Sequence, residues 1–329
     1  MKEFLDYDLK YPDLVMAIVD YFSLNKGENI SSKSIQKFIE TYKVPEGESP
    51  IQPDIVGRIC DRLCECRRMS CIKKNGAMCL FDNYCCVPPS QEHRKFSPDY
   101  YYSLYNSIVY GFEYIYRKNL PHVLPIISYS KRGESMGTCF RMFKGIITAR
   151  HCLTTGNNIA IRGYKAELLN RCKIFVSKNE DIDLAYIETG EQPRFNIAEP
   201  HVLDDILVMG FPKVSFFLNF CTGEKATISA MADIRMTPTM GSIAAKGEIY
   251  FPQGLPKLLL VTAKIRGGNS GGPIINKEGL VVGVATGLPA GEGLSDDNVG
   301  YGMAYPIQSV EKMISENNIQ KFNFIDFPD

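Results

Sequence analysis

Ser270 lies between two glycine pairs in the run Arg266, Gly267, Gly268, Asn269, Ser270, Gly271, Gly272, Pro273. Glycines on both sides let the backbone take a tight, partly positive-φ path, and backbone N–H groups can then turn toward one point beside the hydroxyl. That arrangement suits an activated nucleophile with an oxyanion hole, whereas a glycine-rich turn with an incidental serine has the same local composition. A base and an orienting acid elsewhere in the chain decide between the two. His151 closes the apolar run Gly145, Ile146, Ile147, Thr148, Ala149, Arg150. A histidine at the rim of a rigid sheet suits a general base, although in isolation it is more often structural. Asp181 and Asp183 open the run Leu184, Ala185, Tyr186, Ile187. A carboxylate at either position can accept an imidazole Nδ1 proton and so aim Nε2 at the serine, and the plain alternative for both is a strand-capping acid.

The chain that must position these groups has 329 residues, long enough for two or three units each burying its own core. Lys plus Arg and Asp plus Glu both total 37, so net charge draws it neither to nucleic acid nor to an anionic membrane. The opening residues carry acids throughout and no apolar core, and no apolar run reaches membrane-spanning length, which predicts a cytoplasmic protein. The cysteines are therefore expected mostly reduced, although Cys60, Cys64, Cys66, Cys71, Cys79, Cys85 and Cys86 crowd one segment. Their spacing holds no C-x-x-C knuckle, so no metal is predicted, and Cys60, Cys64, Cys71 and Cys79 are the weak alternative as zinc ligands from helix and hairpin together.

Residues 1–92 read as a separate, α-rich domain. Helical spacing runs through Leu14, Ala17, Ile18, Tyr21 and Phe22 after Pro12, then through Ile35, Phe38, Ile39 and Tyr42 after the caps Ser31 and Ser32. A third helix starts at Pro53 and Asp54 and turns Val56, Ile59, Cys60 and Leu63 inward. Two strand-like runs within Cys71 to Phe81 flank Asn75 and Gly76, a pair suited to a type I′ hairpin. Three helices and a hairpin resemble a winged helix-turn-helix domain. Arg58, Arg62, Arg68, Lys73 and Lys74 would then face outward toward phosphates, but Asp61 and Glu65 interleave with the arginines, which favours a protein-docking role over nucleic-acid binding. Residues 93–121 hold a tyrosine-rich connector helix, capped by Ser97 and carrying Leu104, Ile108, Phe112 and Ile115 on one face. From residue 122 the pattern changes to short β runs divided by glycine and polar turns.

Histidine, aspartate and serine follow one another in the order of chymotrypsin-type proteases. The runs TARHC around His151, DIDLAYI around Asp183, VMGFP at 208–212, GGNSGGP around Ser270, GLVVGVATG at 279–287 and GYGMAYPI at 300–307 resemble trypsin-like serine peptidases, most closely the HtrA/Deg branch. The likeness spans about residues 122–318. It implies an all-β double six-stranded barrel over 122–329 with a C-terminal helix, and it selects Asp183 over Asp181 as the triad acid. It further implies that Ser270 attacks a peptide carbonyl, that His151 takes the proton, that Asp183 stabilises the imidazolium, and that the N–H groups of Gly268 and Ser270 hold the oxyanion. No cofactor is implied. Lys264, Ile265, Val284, Ala285 and Thr286 take the positions that border the first specificity pocket, for which an apolar side chain is favoured over a carboxylate.

Two departures matter. Asn269 stands where digestive relatives carry an aspartate that pairs with a newly cut N-terminus, so activation by that ion pair is not expected. The PDZ domains usual in the HtrA branch have no counterpart, which leaves residues 1–120 as the expected regulator. Loop 287–300 has the composition of a segment ordered on activation, with a passive surface loop as the alternative. Cys139 and Cys152 sit where secreted relatives bridge the histidine loop, and two buried free thiols are favoured here. The expectation is an intracellular serine endopeptidase acting on protein or peptide substrates, docking a protein partner or activator through its N-terminal region, in the manner of a bacterial stress or defence effector. The alternative from another class is a nucleic-acid-binding regulator whose peptidase acts on itself.

Overall fold

The computed structural model describes residues 10–23, 33–75, 79–86, 98–131, 133–180, 182–212, 235–248, 257–286 and 300–328. The chain divides into two compact units, residues 1–117 and 118–329. Among the described residues no helix is long and apolar enough to cross a membrane.

In the first unit, helices α1 (Leu14–Phe22), α2 (Ile35–Thr41) and α3 (Pro53–Glu65) form where the apolar spacing predicts them. The α2 cap is Ser34, whose Oγ accepts from Lys37 N–H at 3.4 Å, while Ser31 and Ser32 lie outside the described residues. The hairpin departs from expectation. Strand β1 (Met69–Lys73) pairs with β2 (Asn83–Cys86), so the second strand starts beyond Phe81 and no two-residue turn joins them. Asp82 accounts for this, because its Oδ1 accepts from Asn75 N–H at 2.8 Å and closes a longer connection; Gly76 lies outside the described residues.

The predicted 97–118 helix is two helices, α4 (Pro98–Tyr110) and α5 (Phe112–Asn119). Gly111 separates them at φ 72°, a left-handed conformation that glycine adopts without a Cβ clash. Tyr105, Val109, Tyr110 and Tyr114 pack in the same core as Leu14, Phe22, Ile59 and Tyr84. This segment is therefore part of the first unit's core, not a free connector.

The second unit contains two β systems. Strands β3 (Val123–Ser130), β4 (Gly133–Met142), β5 (Gly145–Thr148), β6 (Asn158–Ile161), β7 (Lys173–Val176), β8 (Ala185–Glu188) and β15 (Ile319–Gln320) make one sheet in the order β15-β7-β8-β5-β4-β3-β6. Its inward face buries Ile126, Ile146, Ile161, Ile174, Val176 and Ile187. Strands β9 (Asp205–Gly210), β10 (Thr237–Glu248), β11 (Lys257–Val261), β12 (Pro273–Asn276), β13 (Val281–Ala285) and β14 (Gly302–Pro306) close into a six-stranded barrel around Ile206, Val208, Ile243, Leu259, Ile274 and Val282.

The expected first six-stranded barrel is instead a sheet of the six strands β3 to β8, to which β15 adds a seventh, and the C-terminal segment covers the two strands β6 and β7 that would otherwise be its edges. Ile319 and Gln320 pair antiparallel with β7. Ile159 of β6 donates to Asn323 O at 2.9 Å and accepts from Ile325 N–H at 2.8 Å. Asn170 clamps the same segment through both faces of Phe324, donating Nδ2–H to its carbonyl and accepting its N–H, each at 2.9 Å. These bonds satisfy edge groups that would otherwise face solvent.

Candidate active site

Strands β5 and β8 pair antiparallel with Thr148 opposite Ala185. The residues just after β5 and just before β8 therefore emerge at the same end of one sheet. They are His151, which begins the short helix α6 (His151–Thr154), and Asp183. His151 Nδ1 lies 2.6 Å from Asp183 Oδ2, and its backbone N–H donates to Oδ1 at 2.7 Å. With the carboxylate ionised, that spacing puts the proton on Nδ1 and leaves Nε2 as the acceptor. Burial opposes charge on the ring, but the Asp183 hydrogen bond outweighs it, with Cys152 adding in the same direction, and His151 holds its proton above the usual histidine range. The acid is held in turn by Thr286 Oγ1, which donates to Oδ2 at 2.8 Å, and by its own N–H, which donates to Tyr305 Oη at 3.2 Å. Asp181, the competing acid, lies outside the described residues.

Ser270 enters from the closed barrel. Asn269 N–H bonds Arg266 O at 2.9 Å while Gly268 has φ 102°, the geometry of a type II turn, which requires a residue such as glycine at its third position. Past the serine, Gly271 has φ 85°, and a Cβ there would meet Thr138 O at 2.2 Å and Ala149 N at 2.7 Å. Only glycine lets the loop press this closely against the residues that precede His151. Thr138 of β4 fixes the loop from its other side: its N–H donates to Ser270 O at 2.9 Å and its Oγ1 to Gly268 O at 2.6 Å. Gly271 N–H donates to Ala285 O at 2.7 Å and Ala285 N–H to Gly272 O at 2.8 Å. Among the described residues no acceptor engages the N–H of Gly268 or Ser270. Ser270 Oγ is not hydrogen-bonded to His151 in this arrangement; a contact of this kind is often long until substrate is bound.

The expected specificity residues separate. Ala285 abuts the nucleophile loop, and Thr286 spends its hydroxyl on Asp183, which leaves it engaged and not waiting for a substrate carboxylate. Val284 is fully buried, and Ile265 packs into the core of the closed barrel against Gly302. Lys264 is exposed, with its carbonyl accepting from Thr239 Oγ1 at 3.0 Å. Loop residues 287–299 lie outside the described residues.

Cys139 and Cys152 are buried free thiols, and burial pushes the Cys139 thiol up. Cys60, Cys64, Cys71 and Cys79 are the zinc alternative; among the described residues no three His, Cys, Asp or Glu side chains converge. Cys60 is instead sealed in the helical core and Cys79 packs against Gly57. Two residues carry site geometry that the sequence did not disclose. Thr138 is a small polar residue on an otherwise ordinary strand, and Tyr305 lies within GYGMAYPI with nothing local to mark its reach to Asp183.

Residues 137–284 match the family described as trypsin-like peptidase domain. The putative serine protease HhoB of Synechocystis sp. (strain ATCC 27184 / PCC 6803 / Kazusa) is 37% identical over 89 residues, which are 26% of this chain and 20% of that protein. The match thus spans a fifth of the curated relative's length. Among solved structures, the Rv3671c protease from M. tuberculosis in its active form aligns with a TM-score of 0.46 and 18% identity, over 63% of this chain and 85% of that one. The HtrA-type protease AlgW with tripeptide aligns with a TM-score of 0.44 and 21% identity, over 61% and 62%.

Proposed function

We propose, on the match of residues 137–284 to the trypsin-like peptidase domain family, that this protein is a serine endopeptidase in which Ser270, His151 and Asp183 form the catalytic triad. The observation that carries the assignment is the double hold of Asp183 on His151, through Nδ1 at 2.6 Å and through the backbone N–H at 2.7 Å. Asp183 fixes the tautomer, so His151 Nε2 is the lone pair that takes the Ser270 proton as Oγ bonds to the peptide carbonyl carbon. The carbonyl oxygen becomes an oxyanion, and the unengaged N–H groups of Gly268 and Ser270 receive it. Collapse of this intermediate breaks the C–N bond, and the proton on His151 passes to the leaving amine. Water, deprotonated by the same imidazole, then releases the acyl group and restores Ser270.

The three helices and hairpin of residues 10–86 are consistent with a winged-helix-like module that docks a protein partner or activator. Nucleic-acid binding by this module has less support, because Arg58 is paired with Asp54 at 2.6 Å and Lys74 with Asp61 at 2.9 Å, which neutralises part of the face that would meet phosphates. A cytoplasmic location and a role in stress or defence remain part of this proposal. The test is labelling by a fluorophosphonate probe, which requires an activated serine. The wild-type protein should be labelled and Ser270→Ala should not; labelling that survived the substitution would overturn the assignment.

A further inference from the structure

A cavity of 1140 Å³ lies within the second unit where the C-terminal helix α7 (Gln308–Ser315) faces the loop that delivers Asp183 and the facing ends of β10 and β11. It is larger than the usual range of small-ligand pockets. Nothing in the triad chemistry uses it.

Its lining has two characters. Four lysines border it, Lys178, Lys246, Lys257 and Lys312, all exposed, against two glutamates. Glu199 pairs loosely with Lys246 at 3.7 Å. Glu316 is turned into the fold, where its Oε2 accepts from Lys178 N–H at 2.8 Å and from Ser177 Oγ at 3.3 Å. Among the described residues no carboxylate stands within ion-pair distance of the ammonium groups of Lys178, Lys257 or Lys312. Between these charges the wall is apolar, built from Ile182, Leu258, Tyr305, Pro306 and Met313.

We propose that this cavity is an exosite for an acidic peptide of a partner or substrate protein, in which carboxylates flank an apolar side chain. Carboxylates meet the lysine rim, and the apolar side chain covers the Leu258 and Met313 wall. A nucleic acid would answer the lysines but leave that apolar wall without a partner, which is why the peptide is preferred. The site also communicates with the triad. Ile182 and Tyr305 both line the cavity, Ile182 is bonded directly to Asp183, and Tyr305 Oη accepts the Asp183 N–H at 3.2 Å. A bound peptide therefore presses on two of the contacts that place the acid. This second part rests on the peptidase reading above; binding itself does not.

The experiment uses the full chain carrying Ser270→Ala, to prevent cleavage, and fluorescein-labelled EELEE followed by anisotropy. Saturable one-to-one binding that weakens with salt is expected, together with a loss of about tenfold or more in the Lys257→Glu/Lys312→Glu double variant. Both lysines are exposed, so the double variant should retain the far-ultraviolet circular dichroism of its parent. Equal binding by the double variant, or equally tight binding of KKLKK, would overturn the exosite. Tighter binding of dT12 than of EELEE would overturn the peptide as its occupant. In the wild-type chain, saturating EELEE should change the rate of fluorophosphonate labelling, and the double variant should not respond; an unchanged wild-type rate would overturn the link to Asp183. Peptide binding by a chain that is never labelled would keep the exosite and reject the peptidase, so the two failures are distinct.

Discussion

Thr286 Oγ1 donates to Asp183 Oδ2 at 2.8 Å, and the same oxygen lies 2.6 Å from His151 Nδ1. One carboxylate oxygen thus holds two donors while the other accepts the His151 backbone N–H. Removing the hydroxyl frees the carboxylate to rotate and weakens its grip on the imidazole. Thr286→Val should lower kcat/KM by about tenfold, the scale of one hydrogen bond to a charged group, with little change in KM. Thr286→Ser should recover most of the loss. A Val variant of full activity would show that the hydroxyl has no part in placing the acid.

The pH dependence follows from the raised proton affinity of His151. As a base the ring works only when neutral, so activity is lost as pH falls through its folded-state pKa. That acid limb should lie above the ordinary histidine value of about 6.5. Asp183→Asn should move the limb down and also lower kcat by about 10⁴-fold, through loss of the correct tautomer. The sign for stability is the reverse. A folded pKa above the unfolded one contributes stability fully present below about pH 6.5 and lost as pH rises through the folded value. The wild type should therefore exceed His151→Ala in stability by more at pH 5.5 than at pH 10, a difference read from urea midpoints.

Much of this site was legible because its chemistry needs rare residue types at constrained places. A serine between glycine pairs, a histidine ending an apolar run and acids opening the next one are visible without coordinates. The same reading missed Thr138 and Tyr305, whose roles depend on contacts 132 and 122 residues away along the chain, to Ser270 and Asp183. It also placed the hairpin's second strand early, since Asn75 followed by Gly76 is a strong local turn signal, whereas Asn75 N–H bonds Asp82 Oδ1 seven residues on and the second strand starts at Asn83. Helix α4 was legible as a helix, but clustered tyrosines do not say which core receives them.

Gly271 tests how closely the two β systems must approach. Its φ of 85° disfavours any side chain, and of the three atoms nearest an added Cβ, Thr138 O at 2.2 Å, Thr148 Oγ1 at 2.5 Å and Ala149 N at 2.7 Å, the first and third are backbone that cannot swing aside. Gly271→Ala should cost about 3–5 kcal/mol of stability and abolish fluorophosphonate labelling. Gly267→Ala, where an added Cβ meets nothing within 4 Å, is the control and should fold normally. A Gly271→Ala protein as stable as its parent would mean that the loop has room this structure does not show.

The C-terminal segment makes a prediction that the sequence motifs alone would not have suggested. Phe324 is 2% exposed, packs with Ile126, Ile159 and Ile174, and is held through its backbone by Asn170. Ile319 and Gln320 meanwhile pair with β7, so one short segment serves both edges of the sheet that carries His151 and Asp183. Phe324→Ala should lower unfolding free energy by about 3–5 kcal/mol through lost burial and the cavity left behind. Asn170→Ala should cost about 1–3 kcal/mol by leaving the Phe324 N–H and carbonyl unpaired. Deleting residues 318–329 should do more than either, since it uncovers two strand edges at once, and the resulting protein should aggregate and resist labelling at Ser270. Guanidinium unfolding followed by near-ultraviolet circular dichroism separates these cases. A truncated chain with an unchanged midpoint would show that β6 and β7 can close the sheet without it.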